Sequence, residues 1–155
     1  MMHGQQSAIE PEGLFDGLSL RAIMLGAVVD HVATIFVFLA LGFWLSADAL
    51  LEDGEAAERA IKELWLSPAY LLGSMVLGLG CTVLGAFVGA RRAGRFFLRH
   101  GGWIAVISVA LSMVFLIFPS ESESLTPVWY EILGWALILP AGLLGGVLAQ
   151  AASSD

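Results

Sequence analysis

Asp30 and His31 are the residues of this chain best placed to do chemistry. They stand side by side inside the apolar run Leu18–Leu45, LSLRAIMLGAVVDHVATIFVFLALGFWL. Asp30 lies twelve residues from the start of that run and fifteen from its end, so in a membrane-crossing helix it sits well below the headgroups. An ionised carboxylate at such a depth costs roughly 2.5–3.5 kcal/mol on insertion scales. Three arrangements offset that cost: a proton on the carboxyl, a cation partner such as His31 or Arg92, or a water-filled cavity. Two roles follow. As a buried polar clamp, Asp30 bonds Ser or Thr hydroxyls of the second or third span and fixes helix register. As a functional site, it handles protons or cations, or recognises a ligand or partner. Gly26, Asp30, Ala33 and Val37 share one helix face, and Gly26 lets another helix approach the carboxylate. His31 points about 100° away, near Thr34 and Phe38.

No second constellation accompanies the pair. The histidines are at 3, 31 and 100, and one of them lies within a span; HExxH and CxxC motifs do not occur. No metal or cofactor is therefore expected. Gly78-Leu79-Gly80 falls inside an apolar run and reads as helix packing, not as a nucleotide loop. The single cysteine, Cys81, is likewise within an apolar run and reads as a small buried residue. One Asp and one His without a nucleophile or second carboxylate make a thin catalytic site, so no enzyme is expected.

The elements that position these residues are readable from composition. The 155-residue chain is 58% hydrophobic and only 14% charged, where soluble domains carry about 25%. The charge is concentrated between four apolar runs, at about 18–45, 68–90, 102–118 and 128–150, and each run is read as a membrane span. Residues 1–17 are polar, acidic and without the basic start of a signal peptide, and read as a disordered tail; residues 151–155 read as a frayed end. Ser67-Pro68 is a helix start, a cap followed by a first-turn proline. Pro140 is expected to kink the fourth span.

Between spans one and two, residues 46–67 carry Leu50, Ala57, Ile61 and Leu64 at roughly helical spacing, with the acid–base pairs Glu55–Arg59 and Glu58–Lys62 four apart. The segment reads as a short amphipathic helix on the membrane surface. Residues 91–100 hold Arg91, Arg92, Arg95 and Arg99, four of the seven basic residues. Short arginine-rich loops stay in the cytoplasm, which puts both termini inside and the amphipathic helix outside. The cluster also suits anionic lipid headgroups. A net charge of −7 without a basic stripe argues against nucleic acid as a partner.

Small residues form stripes on two spans. Ser74, Gly78, Thr82, Gly85 and Gly89 line one face of the second, and Gly142 and Gly146 form a GxxxG in the fourth beside Ala141, Gly145 and Ala149. Such stripes let helix backbones approach closely in lipid. They exceed what one internal contact needs, which points to a homo-oligomer or a membrane-protein partner.

The stretches RAIMLGAVVDH in the first span and GAFVGARRAG at the end of the second resemble small four-span bacterial inner-membrane proteins of unassigned function. The resemblance covers about two-thirds of the chain. It implies a bacterial plasma-membrane location and carries over no functional residue. The expectation is an all-α, four-helix transmembrane bundle with a short extracytoplasmic helix between spans one and two. Its expected role is that of a non-enzymatic accessory or assembly component, with a small proton- or cation-handling channel or transporter through Asp30 as the alternative.

Overall fold

The computed structural model describes residues 15–47, 54–117 and 126–154. These form five α-helices: α1 (Leu20–Ser46), α2 (Glu55–Trp65), α3 (Pro68–Ala93), α4 (Phe97–Ile117) and α5 (Val128–Ala151). All but α2 are long and apolar enough to cross a membrane. The chain is an all-α integral membrane bundle of four spans with a short helix between the first two. Its outward-facing side chains include Phe36, Leu39, Val76, Ile132 and Val147, all exposed. Lipid is the solvent for such a surface; in water it would be an aggregation hazard.

The helix ends follow from their cap residues. The Ser19 side chain accepts a hydrogen bond from the Ala22 N–H at 3.4 Å and starts α1. The Ser67 hydroxyl accepts from the Tyr70 N–H at 3.2 Å, with Pro68 in the first turn of α3. Gly94 stops α3 in the left-handed region, at φ 71°, where its N–H donates to Ala90 O at 3.3 Å. Gly54, at φ 54°, precedes α2.

The basic segment is less of a loop than the sequence suggests. Arg91 and Arg92 belong to the last turn of α3. Arg99 and His100 lie in the first turn of α4, which begins at Phe97 rather than near 102. Only Gly94, Arg95 and Phe96 connect the two helices. Long arginine side chains can leave a helix end for water while their backbone stays hydrogen-bonded, so charge does not terminate a helix in lipid. The Arg95 and Arg99 guanidinium groups lie over the Phe96 ring, 5.4 and 5.1 Å from its centroid, and Arg91 lies 5.8 Å from that of Phe87. Helix α5 runs through Pro140 without interruption.

Residues 15–19, read from sequence as the end of the tail or the start of the span, form a turn and cap on α4. Leu18 N donates to Phe15 O at 3.2 Å, and the Phe15 ring lies 5.0 Å from that of Trp103. Residues 1–14, and with them His3, lie outside the described residues, as do Leu50 and the 118–125 connection.

Helix α3 packs against all three other spans; α4 packs on α1 and α5, and these two helices stand between α1 and α5. The packing is uneven along the bundle axis. At the end that carries the arginines, every span buries small residues: Ala22, Gly26 and Ala27 of α1, Gly85, Ala86, Gly89 and Ala90 of α3, Gly101 and Ala105 of α4, and Ala141, Gly142, Gly145, Gly146 and Ala149 of α5. Ile23, Ala86 and Ile104 form the core there. Toward α2, α1 buries nothing between Asp30 and Ser46, and α5 buries nothing before Ala141. The helices are tight at the arginine end and spread at the α2 end.

In α2, Ala57, Ala60, Ile61 and Leu64 are half-buried, while Glu55, Glu58, Arg59, Lys62 and Glu63 are exposed. That is an apolar stripe at positions i, i+3, i+4 and i+7.

Candidate functional site: a cavity ending at Asp30

Asp30 sits where the tight and spread halves meet, only 4% exposed. Its carboxylate accepts hydrogen bonds from two other spans. Thr82 Oγ1 of α3 donates to Oδ1 at 3.1 Å, and Ser108 Oγ of α4 donates to Oδ2 at 2.5 Å. Neither partner is a cation: Arg92 is exposed at the far end of α3, and the His31 ring bonds elsewhere.

His31 Nδ1 lies 2.9 Å from Ala27 O. A carbonyl only accepts, so Nδ1 carries the hydrogen; in the neutral ring Nε2 is then an acceptor. This pairing ties His31 to its own helix and leaves the second nitrogen for the space beside it.

That space is a cavity of about 590 Å³ between all four spans. Asp30, Thr82, Ser108 and Ser112 make its polar floor, and Phe38, Met75, Leu79, Trp135 and Ile138 its apolar walls. Tyr130 and Glu131, in the first turns of α5, lie at its α2 end. There Tyr130 Oη and Ser74 Oγ are 2.9 Å apart. Ser74 donates its own proton to Leu71 O at 3.0 Å, so the phenol donates to Ser74. A second cavity of about 440 Å³ adjoins the first, sharing Ile35, Phe38, Ser74 and Tyr130, and is bounded by Trp65 of α2, whose ring stacks on Tyr70 at 5.9 Å.

On the arginine side of Asp30 the bundle is closed. A Cβ built on Gly85 would stand 2.6 Å from Gly26 O and 2.7 Å from Asp30 Cβ; one on Gly89 would stand 2.7 Å from Ala22 O. Gly142 and Gly146 meet α4 in the same way, a Cβ on the first falling 2.6 Å from Gly101 O and on the second 2.7 Å from Phe97 O. Gly145 approaches Val83 O of α3. Both small stripes of α5 are thus used inside the bundle.

Gly78 does something else. A Cβ there would meet only the Phe38 ring, at 3.8 Å, and the residue lines the cavity. Ser74 also faces the cavity. The predicted stripe on α3 is therefore two surfaces on one face, close approach at Gly85 and Gly89 and cavity wall at Ser74 and Gly78.

Sequence reasoning missed four residues. Tyr130, Glu131 and Trp135 reach the cavity from α5, and only the rotation of that helix, set by its GxxxG against α4, reveals it. His100, at the end of the arginine-rich segment, is fully buried. Its Nδ1 donates to Phe96 O at 3.1 Å, and its Nε2 accepts from the Ser19 N–H at 2.9 Å. The neutral imidazole thus joins the start of α4 to the cap of α1. Spacing of four between Phe96 and His100 was the one available signal.

Among the described residues no group of three or more His, Cys, Asp or Glu could hold a metal ion, and Cys81 is a buried free thiol. Fold and site define a class: a multi-pass α-helical membrane protein with a mainly apolar cavity between its spans that has Asp30 at its inner end. No family model, curated protein or solved structure matches this chain.

Proposed function

We propose that this chain is a non-enzymatic accessory or assembly component of a bacterial inner membrane, in which Asp30 clamps three spans and closes the cavity. The reading rests on one observation: the two oxygens of a single buried carboxylate take hydroxyls from two different helices, Thr82 on α3 and Ser108 on α4. Hydrogen bonds between membrane helices contribute about 0.6 kcal/mol each on average, and these two fix rotation and register where small-residue packing ends. With the arginine end in the cytoplasm, as short basic segments prefer, the cavity opens extracytoplasmically.

The rival reading, passage of protons or cations through Asp30, draws on the same cavity, which leads from the α2 end to the carboxylate. Beyond it the backbones of α1 and α3 are too close for a file of water, as the Gly85 and Gly89 geometry requires. Passage would need the tight half to part.

The deciding experiment is reconstitution of the full chain into liposomes containing a pH-reporting dye, with a potassium gradient and valinomycin as driving force. The expected result is proton leak no faster than in protein-free vesicles. A flux that disappears in Asp30→Asn, with the variant still folded, would replace the clamp reading by the transport reading.

A further inference from the structure

Most polar groups around the cavity share a property that the clamp does not require, protons that are already spent; the Thr34 hydroxyl and the Trp135 indole N–H, which also line it, are the donors that remain. Thr82 and Ser108 donate to Asp30. Ser112 donates to Ser108 O at 2.9 Å, Ser74 to Leu71 O, and the Tyr130 phenol to Ser74. His31 donates through Nδ1 to Ala27 O. What these groups can still offer is lone pairs: those of the hydroxyl oxygens and the remaining acceptor positions of a carboxylate that has about four and uses two. A second carboxylate, Glu131, lies at the α2 end, and among the described residues no Lys or Arg lines the cavity.

An occupant matched to this surface brings donors and positive charge. An anion or a fatty acid carboxylate meets two carboxylates and, among the described residues, no Lys or Arg to offset them, with the Thr34 hydroxyl and the Trp135 N–H as its donors. A bare metal ion needs six or more oxygen ligands when it is hard, or nitrogen and sulfur ligands when it is soft; the apolar walls supply neither. An acyl chain would suit Phe38, Leu79 and Ile138 but would strip water from the polar floor without replacing its hydrogen bonds. At about 590 Å³ the cavity is within the range of sites that enclose small organic ligands.

We infer that the cavity binds an organic ammonium ion with an apolar, aromatic-sized body, its N–H groups on Asp30 and its body between Phe38 and Trp135. The ammonium supplies the counter-charge that the carboxylate lacks inside the protein, and Glu131 favours entry of a cation from the α2 end. Ligand charge and cavity volume are separate requirements and can be tested apart. The inference stands on the cavity and not on the accessory role, so a liposome flux result leaves it untouched.

The test uses the full chain in nanodiscs of zwitterionic phosphatidylcholine, titrated calorimetrically with 2-phenylethylammonium, 2-phenylethanol, phenylacetate and methylammonium. Phenylethylammonium is expected to bind at least tenfold more tightly than each of the others. Asp30→Asn should lower its affinity at least tenfold. Gly134→Leu keeps the carboxylate and fills the cavity instead: a Cβ there meets nothing within 4 Å, so the variant should fold and lose binding. If Asp30→Asn fails to fold, Gly134→Leu and the ligand series decide by themselves. Equal binding of the ammonium and the alcohol, undiminished binding in Gly134→Leu, or methylammonium binding as tightly as its phenylethyl counterpart would each overturn the inference.

Discussion

Gly78 and Gly85 lie two turns apart on one face of α3, and replacing each by alanine should move stability in opposite directions. At Gly85 the new Cβ would be 2.6 Å from Gly26 O, 2.7 Å from Asp30 Cβ and 2.9 Å from Asp30 N. Two of these atoms are backbone and the third is the stiff root of a held side chain, so α1 must retreat from α3 by most of an ångström. Overpacking of this kind costs about 1–3 kcal/mol. The same retreat stretches the 3.1 Å bond from Thr82 to Asp30, a further loss of about 0.6 kcal/mol. Alanine's helix preference over glycine returns about 0.5–1 kcal/mol. The net expectation for Gly85→Ala is a loss of about 1–3 kcal/mol. At Gly78 the only neighbour is the Phe38 ring at 3.8 Å, an ordinary contact, so the helix preference acts alone and Gly78→Ala should gain up to about 1 kcal/mol. Unfolding of each variant by dodecyl sulfate titration in mixed micelles, followed by far-ultraviolet circular dichroism, gives both numbers. A Gly85→Ala protein as stable as the parent, or a Gly78→Ala protein that loses as much, would refute the division of α3 into a tight and an open half.

Three further outcomes follow from the same geometry. Asp30→Leu leaves the Thr82 and Ser108 hydroxyls without their acceptor and should cost about 1–3 kcal/mol, whereas Asp30→Asn retains one acceptor oxygen and should cost less than about 1 kcal/mol; thermal melts in detergent compare the two. His100→Phe roughly keeps the buried volume but cannot accept from the Ser19 N–H, and should cost about 1–3 kcal/mol in the same melts, with His100→Ala costing more because a void is added. In a Cys81→Ala background, Arg95→Cys should resist a membrane-impermeant maleimide applied to intact cells and Glu58→Cys should react, since the arginine end is assigned to the cytoplasm; the reverse pattern would invert the topology.

Much of this fold was legible because lipid leaves few choices. Four apolar runs must be helices, since a lipid-exposed backbone has no other way to satisfy its hydrogen bonds, and Ser67-Pro68 starts α3 where capping chemistry says it should. Asp30 was visible for the same reason: a carboxylate in an apolar run has to be accounted for. The details that escaped depend on how helices rotate against one another. Nothing along α3 distinguishes Gly78 from Gly85, because the difference lies in what faces them, a Phe38 ring in one case and the Gly26 backbone in the other. Helix α4 starts at Phe97, inside the arginine-rich segment, because arginine side chains can reach water from within a helical turn.

The spread half of the bundle has a cause in residue size. Where the spans meet through Gly26, Gly85, Gly89, Gly101 and Gly142, backbones touch. On the other side of Asp30 the inward positions hold Phe38, Met75, Leu79, Trp135 and Ile138, which are too large for that approach and hold the helices apart. A mere packing defect between such side chains would be lined by carbon, as empty cavities in proteins are. This one instead ends on a carboxylate with a hydroxyl from each of two helices, and a third hydroxyl, Ser112, is anchored one turn further along α4. Keeping polar groups beside a void is costly unless water or a ligand completes their hydrogen bonds. Asp30 therefore has two faces. Toward Thr82 and Ser108 it accepts hydroxyls from two other spans, and toward the cavity it keeps acceptor positions that no described residue uses.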